Sequence, residues 1–396
     1  MSKWDMIRLG DVCDVRDGTH DSPKYVLDGY PLVTSKNITN GYLDLSDVNY
    51  IAKKDFDEIN KRSKVDVGDI IMPMIGTIGK PIIVNEIVTP FAIKNVALIK
   101  FPENTVFNRY VKHILESTLF YRYIVKQSRG GTQKFLSLHD IRSFCLPTPP
   151  FTIQQKISDI LDRASVLIEK RKEQMKKLDV LVKSRFVEMF GDPVTNPMGW
   201  DICKTGDVAE AIDPQPSHRT PPVSDDGIPY VGITECDYTT LKIDFDKARK
   251  VGRDVLEEHC IRYTIDEGDF IIGKIGTIGK PFFIPTERTY TLSANTVLLK
   301  PMKEKIIPVY MLKLFQSDFV ENQISSERKA TSQPALGIQK VRNINVPLPP
   351  LELQNCFADF VRQADKSKFK MQKGLDLMEK NYKSLMQKCF NGEIPG

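Results

Sequence analysis

Three kinds of residue in this chain carry reactive chemistry: a glycine-rich turn that ends in lysine, histidines set among hydroxyls, and scattered thiols. Gly76-Thr77-Ile78-Gly79-Lys80-Pro81 has the glycines and the cation that suit a phosphate. A nucleotide-binding loop needs G-x-x-x-x-G-K-[ST]. Met74 stands where the first glycine belongs, and Pro81 replaces the metal-binding hydroxyl, so nucleotide hydrolysis is disfavoured. Lys80 and its counterpart Lys280 remain able to meet a phosphate from a hairpin tip. His20 lies in Thr19-His20-Asp21-Ser22-Pro23, and His218 in Ser217-His218-Arg219-Thr220-Pro221. The five histidines lack metal-ligand spacing. A small loop bearing hydroxyls and an imidazole suits phosphate or base-edge contacts; the competing reading is a turn whose Ser and Thr satisfy their own backbone. The seven cysteines are scattered without a C-x-x-C pair. That pattern predicts reduced thiols in a cytoplasm, with no disulfide framework and no zinc site.

The elements that position these residues come twice. Gly68–Pro81 returns as Gly268–Pro281 with ten of fourteen positions identical. The offset of 200 holds for Asn95/Asn295, Lys100/Lys300, Gln133/Gln333, Arg142/Arg342 and Gln154/Gln354. It falls to 198 at His20/His218 and to 196 at Trp4/Trp200. A repeat of this length predicts two similar domains and a pseudo-twofold molecule. Within each copy the signature predicts strand, turn, strand, residues 105–128 predict one helix, and Ser137–Arg142 a short helix before the strand Phe144–Pro147. Pro149-Pro150 punctuates the chain, and Thr152 with Gln155 predicts a capping box. Apolar residues at Ile153, Ile157, Ile160, Ala164, Leu167, Met175, Leu178, Val182, Phe186 and Met189 then predict an amphipathic helix stopped by Gly191 and Pro193. The second copy repeats it through Phe357, Phe360, Ala364, Met371, Leu375, Met378, Tyr382 and Leu385. Helices this long with a narrow apolar seam need partners, and the two are expected to pair as an antiparallel coiled coil. That pairing would carry one globular domain at each end of a strut.

The 396 residues hold 41% hydrophobic residues and a net charge of +5. Residues 152–191 carry nine Lys/Arg against six Asp/Glu, and residues 352–391 eight against five, so the globular parts are near neutral. Any DNA-facing positive patch must therefore be local. No stretch reaches the ~20 apolar residues of a membrane-spanning helix, and the start lacks a signal-peptide core.

The order of globular domain, Pro147-Thr148-Pro149-Pro150-Phe151-Thr152-Ile153-Gln154, long helix, globular domain, Pro347-Leu348-Pro349-Pro350-Leu351-Glu352-Leu353-Gln354 and long helix resembles the specificity subunit of type I restriction–modification systems. The resemblance implies an α+β fold. It implies target-recognition domains at 1–150 and 193–350, separated by spacer helices at 151–192 and 351–396. It implies a protein without catalysis of its own that reads a bipartite site in double-stranded DNA, one domain per half. Two modification subunits would dock on the helices and transfer methyl from S-adenosylmethionine to adenine, and a restriction subunit can join them. No cofactor or metal is expected on this chain.

Candidate DNA contacts are Thr19, His20, Ser22, Lys36, Asn37, Lys80, Asn95, Gln133 and Lys134 in the first copy. In the second they are Ser217, His218, Arg219, Thr220, Lys274, Lys280, Asn295 and Gln333. Positions that differ between copies on matching loops, such as Asp21/Arg219, Met74/Lys274 and Lys134/Pro334, are where two halves would read different bases. Candidate docking residues are Ile157, Ile160, Leu167, Leu178, Phe186, Phe357, Phe360, Leu375, Tyr382 and Leu385. Two competitors stay open. A self-contained methyltransferase would need an Asn or Asp where Thr148 and Leu348 precede the paired prolines, and a cofactor loop besides. A protein-binding coiled-coil adaptor would bind without the salt dependence of DNA contacts.

Overall fold

The computed structural model describes residues 3–39, 41–74, 80–102, 106–127, 136–217, 219–238, 240–325 and 336–393. The chain divides into two compact units, Met1–Gln174 with Met371–Gly396, and Met175–Lys370. This division cuts through both long helices, whereas the expected segmentation followed the ends of elements.

In unit 1 a four-stranded antiparallel sheet runs in the order Asp14–Asp17, Val96–Lys100, Ile70–Pro73, Ile82–Ile83. Its two central strands are buried on both faces. Alternation along a strand sends successive side chains to opposite sides, so Ile70, Met72, Ala97 and Ile99 enter one core while Ile71, Val96 and Leu98 enter another. The first core packs on the helices Asn108–Leu115 and Thr118–Gln127 and on the long helix. The second contains Val33, Ile38, Phe91 and Ile93 from the outer sheet and its flanking turns. That outer sheet, in the order Ala92–Ile93, Tyr30–Val33, Asn49–Ile51, Tyr25–Val26, is the one that carries a parallel pair. Unit 2 repeats the plan. Ile71 opposite Leu98 becomes Ile271 opposite Leu298. Its signature turn is described in full: Gly276 and Gly279 take φ of 76° and 77°, the left-handed region open to glycine, and Gly279 N–H bonds Gly273 O at 3.0 Å.

The long helices span Phe151–Phe190 and Leu351–Asn391, 40 and 41 residues, or about 60 Å each. Inside each unit they pack antiparallel. In unit 1 Lys172 pairs with Glu379 at 3.2 Å, and Leu161 shares a core with Met386, Cys389 and Phe390. In unit 2 Asp179 meets Lys368 at 2.7 Å, while the Arg185 guanidinium lies over Phe360. Inward residues Ile157, Leu161, Ala164, Ile168, Arg171, Met175, Leu178 and Val182 step by four and three, the heptad seam of a coiled coil. Gly191 ends the first helix at φ 76°, and Gly392 ends the second at the same angle. Tryptophans finish both ends: Trp200 Nε1 donates to Phe190 O at 2.8 Å, and Trp4 Nε1 reaches Cys389 O at 3.5 Å, satisfying carbonyls that a helix leaves unpaired.

Two local expectations are corrected. The single helix expected over 105–128 is instead two, Asn108–Leu115 and Thr118–Gln127, because Ser117 N–H and Oγ both turn back to Ile114 O before Ser117 O opens the next helix. The capping box at Thr152 does not form. The helix already begins at Phe151, and Pro150 O takes the N–H groups of Ile153 and Gln154. Gln154 does a different job. Its Oε1 accepts Phe107 N–H at 2.9 Å and its Nε2 donates to Pro149 O at 2.9 Å. Gln354 repeats this with Ile307 and Pro349 at 2.8 and 2.7 Å. Tyr110 and Tyr310 donate to Pro147 O and Pro347 O, each at 2.9 Å. The paired prolines are thus a structural joint between domain and helix, not a methyltransferase motif.

Candidate nucleic-acid interface

The residues common to both copies build scaffold. Lys100 Nζ lies 2.5 Å from Asp69 and 2.9 Å from Asp66; Lys300 lies 2.6 Å from both Asp269 and Asp266. Burial opposes the charge on each ammonium, but the carboxylates hold both lysines above the usual lysine value. Asp69 and Asp269 also accept the N–H of Asp66 and Asp266 at 2.8 Å. The Gly-Asp signature therefore closes a turn instead of cradling a phosphate. Arg142 and Arg342 likewise spend their guanidinium on Val15 O and Ala211 O.

The loop after the first sheet strand is where the copies part. The strand register sets Asp17 opposite Ala97 and Ile212 opposite Leu298, so Asp17 and Asp213 occupy equivalent places. In unit 1 Asp17 receives Arg62 and His20, and His20 also reaches Asn95 Oδ1 at 2.9 Å. Lys94 Nζ donates to Ser22 Oγ at 2.7 Å, and the Asp21 N–H donates to Thr19 Oγ1 at 3.1 Å. In unit 2 Asp213 is met by Lys274 at 2.8 Å. Beneath the loop Gln215 bridges Ser217 Oγ at 2.9 Å and the buried His259 at 2.6 Å, which continues to Thr291 and Tyr263. Burial pushes His259 below its ordinary pKa, so its neutral form is favoured.

These contacts sort the candidate residues. Thr19, His20, Ser22 and Asn95 come together on one loop cluster in unit 1. Ser217, Arg219 and Thr220 lie exposed on the matching loop of unit 2. Lys36, Lys80, Lys280 and Asn295 are exposed; Lys280 rests its ammonium 5.8 Å from the Tyr238 ring centre. Asn37 and Lys274 are corrected. Asn37 is buried with its oxygen accepting Thr34 N–H and Oγ1–H and its amide donating to Asp44 O and Asp47 O. Lys274 is 6% exposed and committed to Asp213. Asn37 has its donors and acceptor occupied inside the fold, and Lys274 is buried against Asp213, so neither faces outward to a base. Gln133, Lys134, His218 and Gln333 lie outside the described residues. Asp17, Arg62, Asp213, Gln215 and His259 were missed from sequence, because their partners stand far away in the chain and no local pattern marks them.

The helices sort similarly. Ile157, Phe186, Phe357 and Leu375 are buried in the chain's own cores and so cannot dock a partner. Leu178, Phe360, Tyr382 and Leu385 are half-buried; Tyr382 Oη lies 3.2 Å from His113 Nδ1. Ile160 and Leu167 are 38% and 57% exposed. Val166 is also exposed in unit 1, as are Val180, Leu181 and Val187 in unit 2. In unit 1 an open groove of about 430 Å³ runs beside the seam, lined by Ala164, Leu167, Ile168, Met378, Tyr382 and Leu385. Among the described residues no group of His, Cys, Asp and Glu could hold a metal ion, and no helix is long and apolar enough to cross a membrane.

A family model described as the type I restriction modification DNA specificity domain matches residues 1–177 and again 197–376. The chain belongs to this family. Its double match falls on the two copies of the repeat. Among curated family members, the MjaIX specificity subunit of Methanocaldococcus jannaschii is 22% identical over 417 residues, covering 99% of this chain and 93% of its own. The EcoBI specificity subunit of Escherichia coli is 20% identical over 330 residues, covering 76% and 69%. Two solved structures share the fold. One, from work on complex assembly and conformational transition of the type I R-M system, has a TM-score of 0.58 at 17% identity, covering 99% of this chain and 98% of that one. The other, the type I S subunit from M. genitalium, has a TM-score of 0.53 at 14% identity, covering 98% and 96%.

Proposed function

We propose that this chain is a non-catalytic DNA specificity subunit whose two recognition domains each read one half of a bipartite site. The observation that carries the reading is a shared lysine–aspartate lock and helix joint under different exposed loops. Lys100–Asp69 and Lys300–Asp269 are the same lock, whereas Asp21 and Arg219 stand at matching loop positions with opposite charge. A scaffold held constant while its surface diverges suits two readers of different sequence, each good base contact adding about 1–3 kcal/mol of discrimination.

In this reading the exposed apolar residues Ile160, Val166 and Leu167, with Val180, Leu181 and Val187, dock the modification subunits. Those partners bind S-adenosylmethionine and methylate adenine, and the chain itself binds no cofactor. The test is to express the chain with its neighbouring modification subunit and map methylated adenines across the host genome. A motif split by an unread gap is expected. An uninterrupted motif, or methylation by this chain alone, would overturn the reading.

A further inference from the structure

His20 was read from sequence as a DNA contact, yet its ring is already engaged on both sides. Nε2 lies 2.7 Å from Asp17 Oδ2 and Nδ1 lies 2.9 Å from Asn95 Oδ1. Each ring nitrogen therefore faces an acceptor. A neutral imidazole has one N–H and one lone pair, so with the Asn95 amide oriented oxygen-first toward Nδ1 one of these contacts is repulsive, and the imidazolium satisfies both. Every element packed around the ring bears on this. The strand Asp14–Asp17 supplies the Asp17 carboxylate. The turn before Val96 supplies the Asn95 oxygen from a left-handed residue at φ 56°. The helix Lys53–Ser63 supplies the Arg62 guanidinium, which pairs with the far oxygen of Asp17 and opposes a second positive charge. The loop itself carries Asp21 next to His20 and Lys24 beyond Pro23, both exposed, and Lys94, beside Asn95, is held by Ser22.

We propose that His20 is a positioning residue, which holds the first domain's reading loop in its doubly protonated form and lets that loop loosen when the proton leaves. The proposal rests on the DNA-reading role assigned to these domains, but the protonation itself can be measured without DNA. The imidazole stays exposed beside Thr19 and Ser22, whose hydroxyls take the Asp21 N–H and the Lys94 ammonium. The loop stays ordered through the chain Asp17–His20–Asn95 together with the Thr19 N–H bond to Ile93 O at 3.0 Å. The hydrogen bond to Asn95 and then that to Asp17 raise the His20 pKa above its ordinary value, against partial burial and the Arg62 charge. Unit 2 supports its loop differently, through the uncharged Gln215 and a buried His259. First-half recognition is therefore expected to weaken as pH rises through the His20 pKa, in a way that substitutions at His20 abolish.

The experiment has two arms. The first titrates the full chain, labelled at its histidine rings, by NMR and assigns His20 from its loss in His20→Gln. A pKa above that of an exposed imidazole is expected, moving further up in Asn95→Asp, which keeps a residue tolerant of the left-handed backbone. A His20 pKa at or below the ordinary value overturns the proposal, whatever the chain binds. The second arm uses the chain with its modification subunits and duplexes carrying single mismatches in either half of the mapped motif. Between pH 6.5 and 8.5, mismatch discrimination in the first half is expected to fall several-fold in the parent protein, to stay flat in His20→Gln, and to keep its fall but at higher pH in Asn95→Asp. The effect of His20→Gln on the second half is expected to be nil. Equal effects on both halves, or no pH dependence in the parent, overturn the proposal. Absence of any split motif overturns the DNA reading instead and leaves the first arm to decide the protonation.

Discussion

Replacing Gln354 by leucine removes two hydrogen bonds and almost no volume. The side chain is fully buried; its oxygen holds the Ile307 N–H at 2.8 Å, and its amide reaches Pro349 O at 2.7 Å. Leucine leaves both backbone groups buried without a partner, and each orphan costs about 1–3 kcal/mol. The joint between the long helix and the second domain should therefore weaken by about 2–6 kcal/mol. At about 1.4 kcal/mol per decade, that is roughly thirty-fold to twenty-thousand-fold faster opening. Hydrogen exchange read at the Ile307 amide measures this directly, without requiring that a two-unit chain unfold in one step. The repeat supplies an internal replicate, since Gln154→Leu should speed exchange at Phe107 by a similar factor and leave Ile307 alone. Unchanged protection at Ile307 would refute the claim that this glutamine fastens the domain to the helix.

Leu167→Asp and Leu181→Asp should leave the thermal midpoint nearly unchanged and abolish co-purification of the modification subunit, whereas Phe357→Ala should cost about 3–5 kcal/mol of stability through its cavity; loss of folding in the leucine variants would show that their exposure is not real. Lys280→Ala should weaken DNA binding uniformly across sequences and lower the salt slope by about one, while Arg219→Ala should relax a single half-site by about 1–3 kcal/mol, both read by binding titrations at several salt concentrations. Burial works against the Asp162 carboxylate, but hydrogen bonds from His113 and Arg109 hold its pKa below the usual carboxylate range. A depressed pKa stabilises above the unfolded value and is lost as pH falls through the folded one. The urea midpoint of unit 1 should therefore drop on acidification below the usual carboxylate range, and Asp162→Asn should flatten that part of the profile.

The repeat, the paired strands of the signature and the glycine stops of both long helices were legible because each is written in local pattern or in self-similarity. Burial was not. Met74/Lys274 was read as a pair that would contact different bases, but both side chains are buried and the divergence is answered inside the protein: Asp213 takes Lys274, whereas its equivalent Asp17 takes Arg62 from a helix 45 residues away. Asn37 looked like a reader because asparagine reads adenine well; only the fold shows four hydrogen bonds consuming it. The Thr152 capping box failed because Pro149-Pro150 set the helix start by themselves. On the helices, periodicity found the apolar residues but could not tell the seam from the outer face, so Ile157 and Leu167 looked alike.

Tyr110 stacks edge-on against Phe390, and Met386 and Cys389 lie in the same core as Leu161. The first domain thus waits for residues beyond 371 before its core is sealed. At synthesis rates of about 5–20 residues per second, the ribosome needs roughly 10–40 s to travel there from residue 174. During that interval the nascent domain shows an unsealed apolar seat at Tyr110 and Leu161, a window for chaperones or for the matching helix of another chain. Trimming the last helical turns of the finished protein should reopen it.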